Sequence, residues 1–241
     1  MNDGKSPRAI PWLRILAESL AIVLSILLAF SIDAWWDVRR DRAREADLLA
    51  GLLADLEASR PELVTRLNGA RRMATNTARF RDLIASAPEG QLVRVPDSVV
   101  IAVLGTPTYE PTTNTLDAAL SSGEVELIRS NDVRQRLAEW RRGLIDTYED
   151  ENASKEIVIT QLVPLLAREV RLGSYYDRVL PWFFADPELD LTGEATVTAS
   201  SDLEGVLALR LFFAEFSAQG LAALLESLDG LAAVLETAAR D

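Results

Sequence analysis

The sequence predicts an all-α protein in which one N-terminal transmembrane helix continues into a helical stalk and an α-helical bundle. Three observations carry this reading. Residues 12–36 are apolar apart from Arg14, Glu18 and Asp33. Beyond them, leucines recur at three- and four-residue spacing through most of the chain, the period of a buried helix face. Strand signals, alternating apolar and polar runs bounded by turn residues, are scarce. The expected parts are a tail at 1–11, a transmembrane helix at 12–36, a juxtamembrane helical stalk at 37–87 and a bundle domain at 88–241.

The N-terminal segment comes first. At about 1.5 Å per residue, Trp12 and Trp35 stand roughly 35 Å apart, enough to cross a hydrocarbon core of ~30 Å with some tilt. Trp12 at one end and Trp35 and Trp36 at the other form an interfacial belt, because indole prefers the headgroup level. A cleaved signal peptide needs a shorter apolar core and a small-x-small cleavage site, whereas "DAWWDVRRDR" follows here. On a wheel of about 100° per residue, Ala21, Ser25, Ala29 and Asp33 all fall within about 60° of Glu18. The opposite surface is Leu, Ile, Val and Phe. Small residues four apart let helices approach closely, and a carboxyl group within lipid seeks a protein partner. Glu18, Ala21, Ser25, Ala29 and Asp33 are therefore the expected association face, toward a second copy of the chain or another membrane protein. The plainer reading puts Asp33 in the headgroup layer and lets Glu18 snorkel or protonate. Basic residues flank both ends, Lys5, Arg8 and Arg14 against Arg39, Arg40, Arg42 and Arg44, so the charge rule gives no orientation. A single-pass membrane location with an exported body is the expectation, and a cytoplasmic body is the alternative.

The motif "AES…LLAFSIDAWWDVRR" places Glu18, Ala29, Ile32, Asp33, Trp35, Arg39 and Arg40, and "YEPTTNTLDAALSSGEVELIRSNDVRQRLAEW" fills 109–140. Over about residues 15–150 this arrangement resembles an uncharacterised family of bacterial single-span membrane proteins. The resemblance implies a bacterial membrane protein and supplies no activity or ligand residues.

The remaining elements follow in order. Leu49, Leu52, Leu56, Leu63 and Leu67 share one helical stripe, with a kink or restart expected at Pro61 and a capping box from Ser59 to Glu62. Residues 86–98 read as a turn-rich connection, followed by one or two helical turns over Val99–Leu104 capped by Asp97 or Ser98. Asn114 and Asp117 suit a helix start and Gly123 its end. Ser130 or Asn131 caps a long helix carrying Val133, Leu137, Trp140 and Leu144, with a kink at Pro164. Residues 186–200 read as a loop. Ser201 and Glu204 open a last helix whose Leu221, Leu224, Leu228, Leu231 and Leu235 repeat like a coiled-coil seam. A second span over 205–225 is disfavoured by Arg210 and Glu215, which are costly in lipid, so a core helix is expected there.

Composition narrows the chemistry. The chain has no cysteine and no histidine, which removes thiolate and imidazole catalysis and the metal sites built on them. Net charge is −12, and residues 1–36 hold three basic and three acidic groups, so the whole excess lies in the body. Such a body repels a phosphate backbone, and no nucleic acid is expected as partner. Asp186, Glu188 and Asp190 alternate like the start of a calcium loop, but the glycine comes late and the closing Glu is missing. Glu149, Asp150 and Glu151 read as the exposed side of a helix. Tyr175, Tyr176, Trp182, Phe183 and Phe184 read as core or interface aromatics. No cofactor is expected. The chain is read as a non-enzymatic interaction or scaffold protein whose first partner is the lipid bilayer. A ligand sensor relaying to a partner membrane protein is the alternative, and a carboxylate-based hydrolase the third.

Overall fold

The computed structural model describes residues 12–173 and 193–240, and these are mostly helical. Helix α1 runs from Trp12 to Ala85 as one element of 74 residues, roughly 110 Å long at the usual rise. It is followed by β1 (Leu92–Pro96), α2 (Asp97–Leu104), α3 (Asn114–Ser122), a 3-10 turn (Glu124–Leu127) and α4 (Asn131–Ile157). A π-helical segment (Val158–Leu162), α5 (Val163–Glu169), β2 (Glu194–Thr198) and α6 (Ser201–Ala238) complete the order.

Three long helices, α1, α4 and α6, lie side by side and build the interior. Two apolar clusters result. In the first, Leu48–Ala70 of α1 meet Val133, Leu137 and Trp140 of α4 and the α6 seam Leu221, Leu224, Leu228, Leu231 and Leu235. In the second, Phe80 and Ile84 of α1 meet α2, the two strands, Val158, Leu162 and Leu166, and Leu203 and Leu207 of α6. The leucine stripes of the sequence are thus the packed faces. The segment expected as a stalk, 37–87, divides: residues 42–44 are exposed, and from Glu45 onward α1 supplies core side chains to the same clusters as the body.

Pro61 does not end α1. With no new N-terminus there, the Ser59–Glu62 capping box has no free N–H groups to serve and does not form. The Ser59 hydroxyl instead donates to Asp55 O (2.8 Å) and accepts the Thr112 N–H (2.8 Å), while Glu62 pairs with Arg66 (3.1 Å). Thr115 N–H donates to Asp55 Oδ2 (2.7 Å), so two polar side chains of α1 tie down the segment leading into α3. Gly123 closes α3 at φ 79°, a left-handed conformation that suits glycine. Ser130 caps α4, accepting the Val133 N–H (3.3 Å). Near Pro164, which offers no N–H to the carbonyl four residues back, the chain forms a π-helical turn immediately before α5. The α6 cap is Ser200, which accepts the Leu203 N–H (3.2 Å), one residue before the serine expected.

The strands are a departure from the sequence reading. β1 and β2 pair antiparallel, Val93 opposite Val197 and Val95 opposite Ala195, in segments read as connections. Val95, Val197 and Ala195 point inward and Arg94, Glu194 and Thr196 outward, the two-residue alternation of a half-buried ribbon. Pro96 sits at the end of β1, the position where a missing N–H costs least.

Candidate functional site

Two regions have a claim to function. The first is the N-terminal part of α1. Every described side chain from Leu16 to Arg40 is exposed, including Leu20, Leu24, Leu27, Leu28, Phe30, Trp35 and Trp36, and the apolar surface runs all round the helix. Glu18, Ala21, Ser25, Ala29 and Asp33 are all exposed along this stretch. The Ser25 hydroxyl donates to Ala21 O (2.8 Å), so its polarity is turned back onto its own helix. At one end Trp12 is exposed, and at the other Trp35 and Trp36 meet edge to face at 5.4 Å with the Arg39 guanidinium 5.6 Å from the Trp35 ring centre. Arg40 pairs with Asp37 (2.9 Å) and Arg44 with Asp41 (3.6 Å), making a charged collar. The collar ends at Glu45, which is buried and accepts both the Arg129 N–H (2.7 Å) and Nε–H (2.5 Å) at the entry to α4. That clamp marks where the exposed helix becomes part of the packed body.

Among the described residues two helices, this one and α6, are long and apolar enough to cross a membrane. They differ in burial. The apolar window of α1 has no residue buried, whereas 28% of that of α6 is buried and the helix carries the fully buried Arg210. α6 packs into both apolar clusters, from Leu203 and Leu207 to the Leu221–Leu235 seam.

The second region is a polar layer between the two apolar clusters, centred on Arg210. Its guanidinium donates from Nε to Val103 O (3.2 Å), from Nη2 to Gly105 O (2.6 Å), and from Nη1 to Ser154 Oγ, and it touches Met73 Sδ. Burial pulls its pKa down to about 10, with no carboxylate opposing the shift. Val103 and Gly105 lie at the C-terminal end of α2, where carbonyls lack helical partners and a cation is favoured. Beside Arg210 is a cavity of about 30 Å³, walled by Arg66, Met73, Thr106, Glu151, Ser154 and Ser217 among others. The Ser217 hydroxyl is buried there without a hydrogen-bond partner among the described residues.

Glu151 does not lie on an exposed helix side, as its run of acids suggests. It is half-buried and its carboxylate accepts the Tyr109 N–H at 3.1 Å. Burial pushes its pKa up to about 7; the Tyr109 N–H and Arg66 pull the other way, and Asp150 and Glu110 add to the rise. The fold therefore holds the proton more tightly than the unfolded chain. Stability from this group is fully present below its ordinary pKa of 4.5 and is lost as pH rises to about 7. Glu151→Gln keeps an acceptor for Tyr109 and removes the titration. It is expected to be more stable than the parent by about 1 kcal/mol at pH 8, after discounting for partial exposure, and equal to it at pH 4. Thermal melts across that range check this, and a parallel pH dependence in both proteins would contradict it.

Sequence reasoning used Arg210 only as a charge against a second span, and passed over Ser154, Ser217 and the role of Glu151. One signal was available: Leu203, Leu207, Arg210 and Ala214 keep the seam spacing, so Arg210 occupies a core position of its helix. Among the described residues no cluster of acidic groups has the arrangement of a metal site. Asp186, Glu188 and Asp190, and the aromatics Tyr175, Tyr176, Trp182, Phe183 and Phe184, lie outside the described residues. Compared with family models, curated proteins and solved structures, the chain matches none.

Proposed function

We propose that this chain is a single-span protein of the bacterial inner membrane, of the single-span family its motifs resemble, whose helical body serves as an interaction or scaffold module. One observation carries the reading. From Leu16 to Trp36, a length of roughly 30 Å, α1 exposes large apolar side chains on every side. Water-soluble monomers rarely expose a contiguous apolar patch beyond a few hundred Å², so the surface needs a cover, and its length matches a hydrocarbon core. The tryptophans at its ends and the charged collar after Asp37 stand where the headgroups would be. The body then begins within about two helical turns of the membrane surface, at the Glu45–Arg129 clamp. We read the body as periplasmic.

The interaction part of the proposal rests on the face of Ala21, Ser25 and Ala29, where small side chains allow close approach of a second helix. A photo-crosslinking residue at Ala29 should capture a second copy or another membrane protein in native membranes, and one at Leu27, on the opposite side, should not. If neither position captures a protein, or both do so equally, the interaction reading fails and a simple anchor is left. A sensor is favoured as second reading by one feature: α1 runs unbroken from the apolar segment to Arg66, Ala70 and Met73 in the cavity wall.

A further inference from the structure

The layer between the two apolar clusters is unusual for what it lacks. Arg210 is fully buried, its hydrogen bonds go to two backbone carbonyls, a hydroxyl and a thioether, and none of those partners carries a charge. A buried cation normally comes with an anion, because the cost of leaving water exceeds what neutral dipoles return. The neighbouring cation, Arg66, already has its own carboxylate in Glu62 (3.1 Å). Arg210 therefore has no paired carboxylate among the described residues: Glu151, on the wall of the same cavity, turns its carboxylate to the Tyr109 N–H.

Three further facts describe the space beside it. The cavity of about 30 Å³ is large enough for roughly two water molecules, or one halide-sized ion. Nη1 of Arg210 has one acceptor, Ser154, while chemically it carries two N–H groups. Ser217 brings to the same wall a buried hydroxyl with no hydrogen-bond partner among the described residues. Unused donors, a cation without a paired carboxylate and a void of ionic size thus coincide. A cation is disfavoured there by Arg210 and Arg66, and an organic ligand of ordinary size has no room.

We propose that the cavity bounded by Arg66, Ser154, Arg210 and Ser217 binds a small monovalent anion of halide size, which balances the charge of Arg210 and ties α1, α4 and α6 together. Binding would be independent of whether the chain signals, and independent of the membrane reading. Because the three helices lining the site must be assembled to form it, the unfolded chain has no such site, and occupancy stabilises the fold by mass action.

The test uses the full-length protein in detergent micelles. Chloride is titrated at constant ionic strength, with sodium gluconate as the balancing salt, whose anion is too large for the cavity. The melting temperature should rise by about 3 °C by ten times Kd and go on rising with the logarithm of the chloride concentration, as linkage to one site present only in the fold requires. Ser217→Leu, which fills the void while leaving Arg210 in place, should abolish the rise. Ser217→Val serves as the smaller plug if leucine prevents folding. Crystals soaked in sodium bromide should show an anomalous peak beside Arg210 within the cavity. A melting temperature that does not distinguish chloride from gluconate, a shift that survives in the plugged variant, or water alone beside Arg210 in the bromide crystal would each overturn the proposal.

Discussion

Arg210→Met is expected to lower the melting temperature of the protein by about 10 °C. Methionine fills most of the arginine stem, so the effect does not come from an emptied volume. It comes from the partners left behind. Val103 O, Gly105 O and the Ser154 hydroxyl would each lose a buried donor, and an unsatisfied buried group costs about 1–3 kcal/mol. Allowing for some relaxation, a total of about 3–5 kcal/mol is expected, and each kcal/mol shifts a domain of this size by about 2–4 °C. Replacing a buried charge by an apolar side chain is often neutral when its partners go with it, but here the carbonyls are backbone and stay. Arg210→Lys should recover only part of the loss, because one ammonium cannot match the forked geometry that reaches three acceptors at once. A methionine variant as stable as the parent would show that water replaces the guanidinium without cost and that the layer is less sealed than its burial implies.

Removal of residues 1–38 is expected to move the protein quantitatively from the membrane pellet to the high-speed supernatant while leaving its fold intact. Both halves of that statement follow from the distribution of burial along α1. The side chains lost are exposed wherever they are described, and the first buried one, Glu45, lies beyond the cut. The two apolar clusters begin at Leu48 and keep every member. The truncated chain should therefore retain its helical circular dichroism and a cooperative melt close to that of the full-length protein. Aggregated or unfolded product would mean that α1 needs its N-terminal half to hold the body together. Retention in the pellet would mean that another surface binds the membrane, with the exposed Phe212 and Phe216, stacked at 6.0 Å on α6, the first place to look.

Periodic features were legible from the chain. Leu49, Leu52, Leu56, Leu63 and Leu67, and the seam from Leu221 to Leu235, are all buried, because a helix that packs along its whole length writes its contact face into every third or fourth residue. Helix ends were legible to within a residue: Ser130 and Gly123 act as expected, while Ser200 takes the cap expected of Ser201, since two adjacent serines offer the same chemistry. What escaped depends on partners distant in sequence. β1 and β2 have five residues each and are separated by almost a hundred, too short and too far apart for their alternation to announce a pair. Glu151 looks like any acid in "YEDEN" until Tyr109 is folded over it. Arg210 stood out only as a charge in an apolar run, and the residues that satisfy it come from α1, α2, α4 and the turn after α2.

The absence of native cysteine makes the central claim, that residues 12–36 lie in lipid, directly measurable. Single cysteines at Leu20, Leu24, Leu28 and Ile32, with Arg42 and Glu57 as positions outside the span, can be reacted in native membranes with a water-soluble maleimide. All six side chains except Arg42 and Glu57 belong to the exposed apolar stretch, and all six are exposed in the folded chain, so burial within the protein cannot shield any of them. In membranes opened to the reagent on both sides, positions 42 and 57 are expected to react readily while 20, 24, 28 and 32 stay unmodified until denaturant strips the lipid. Equal modification of all six in intact membranes would show that the helix is in water and would contradict it.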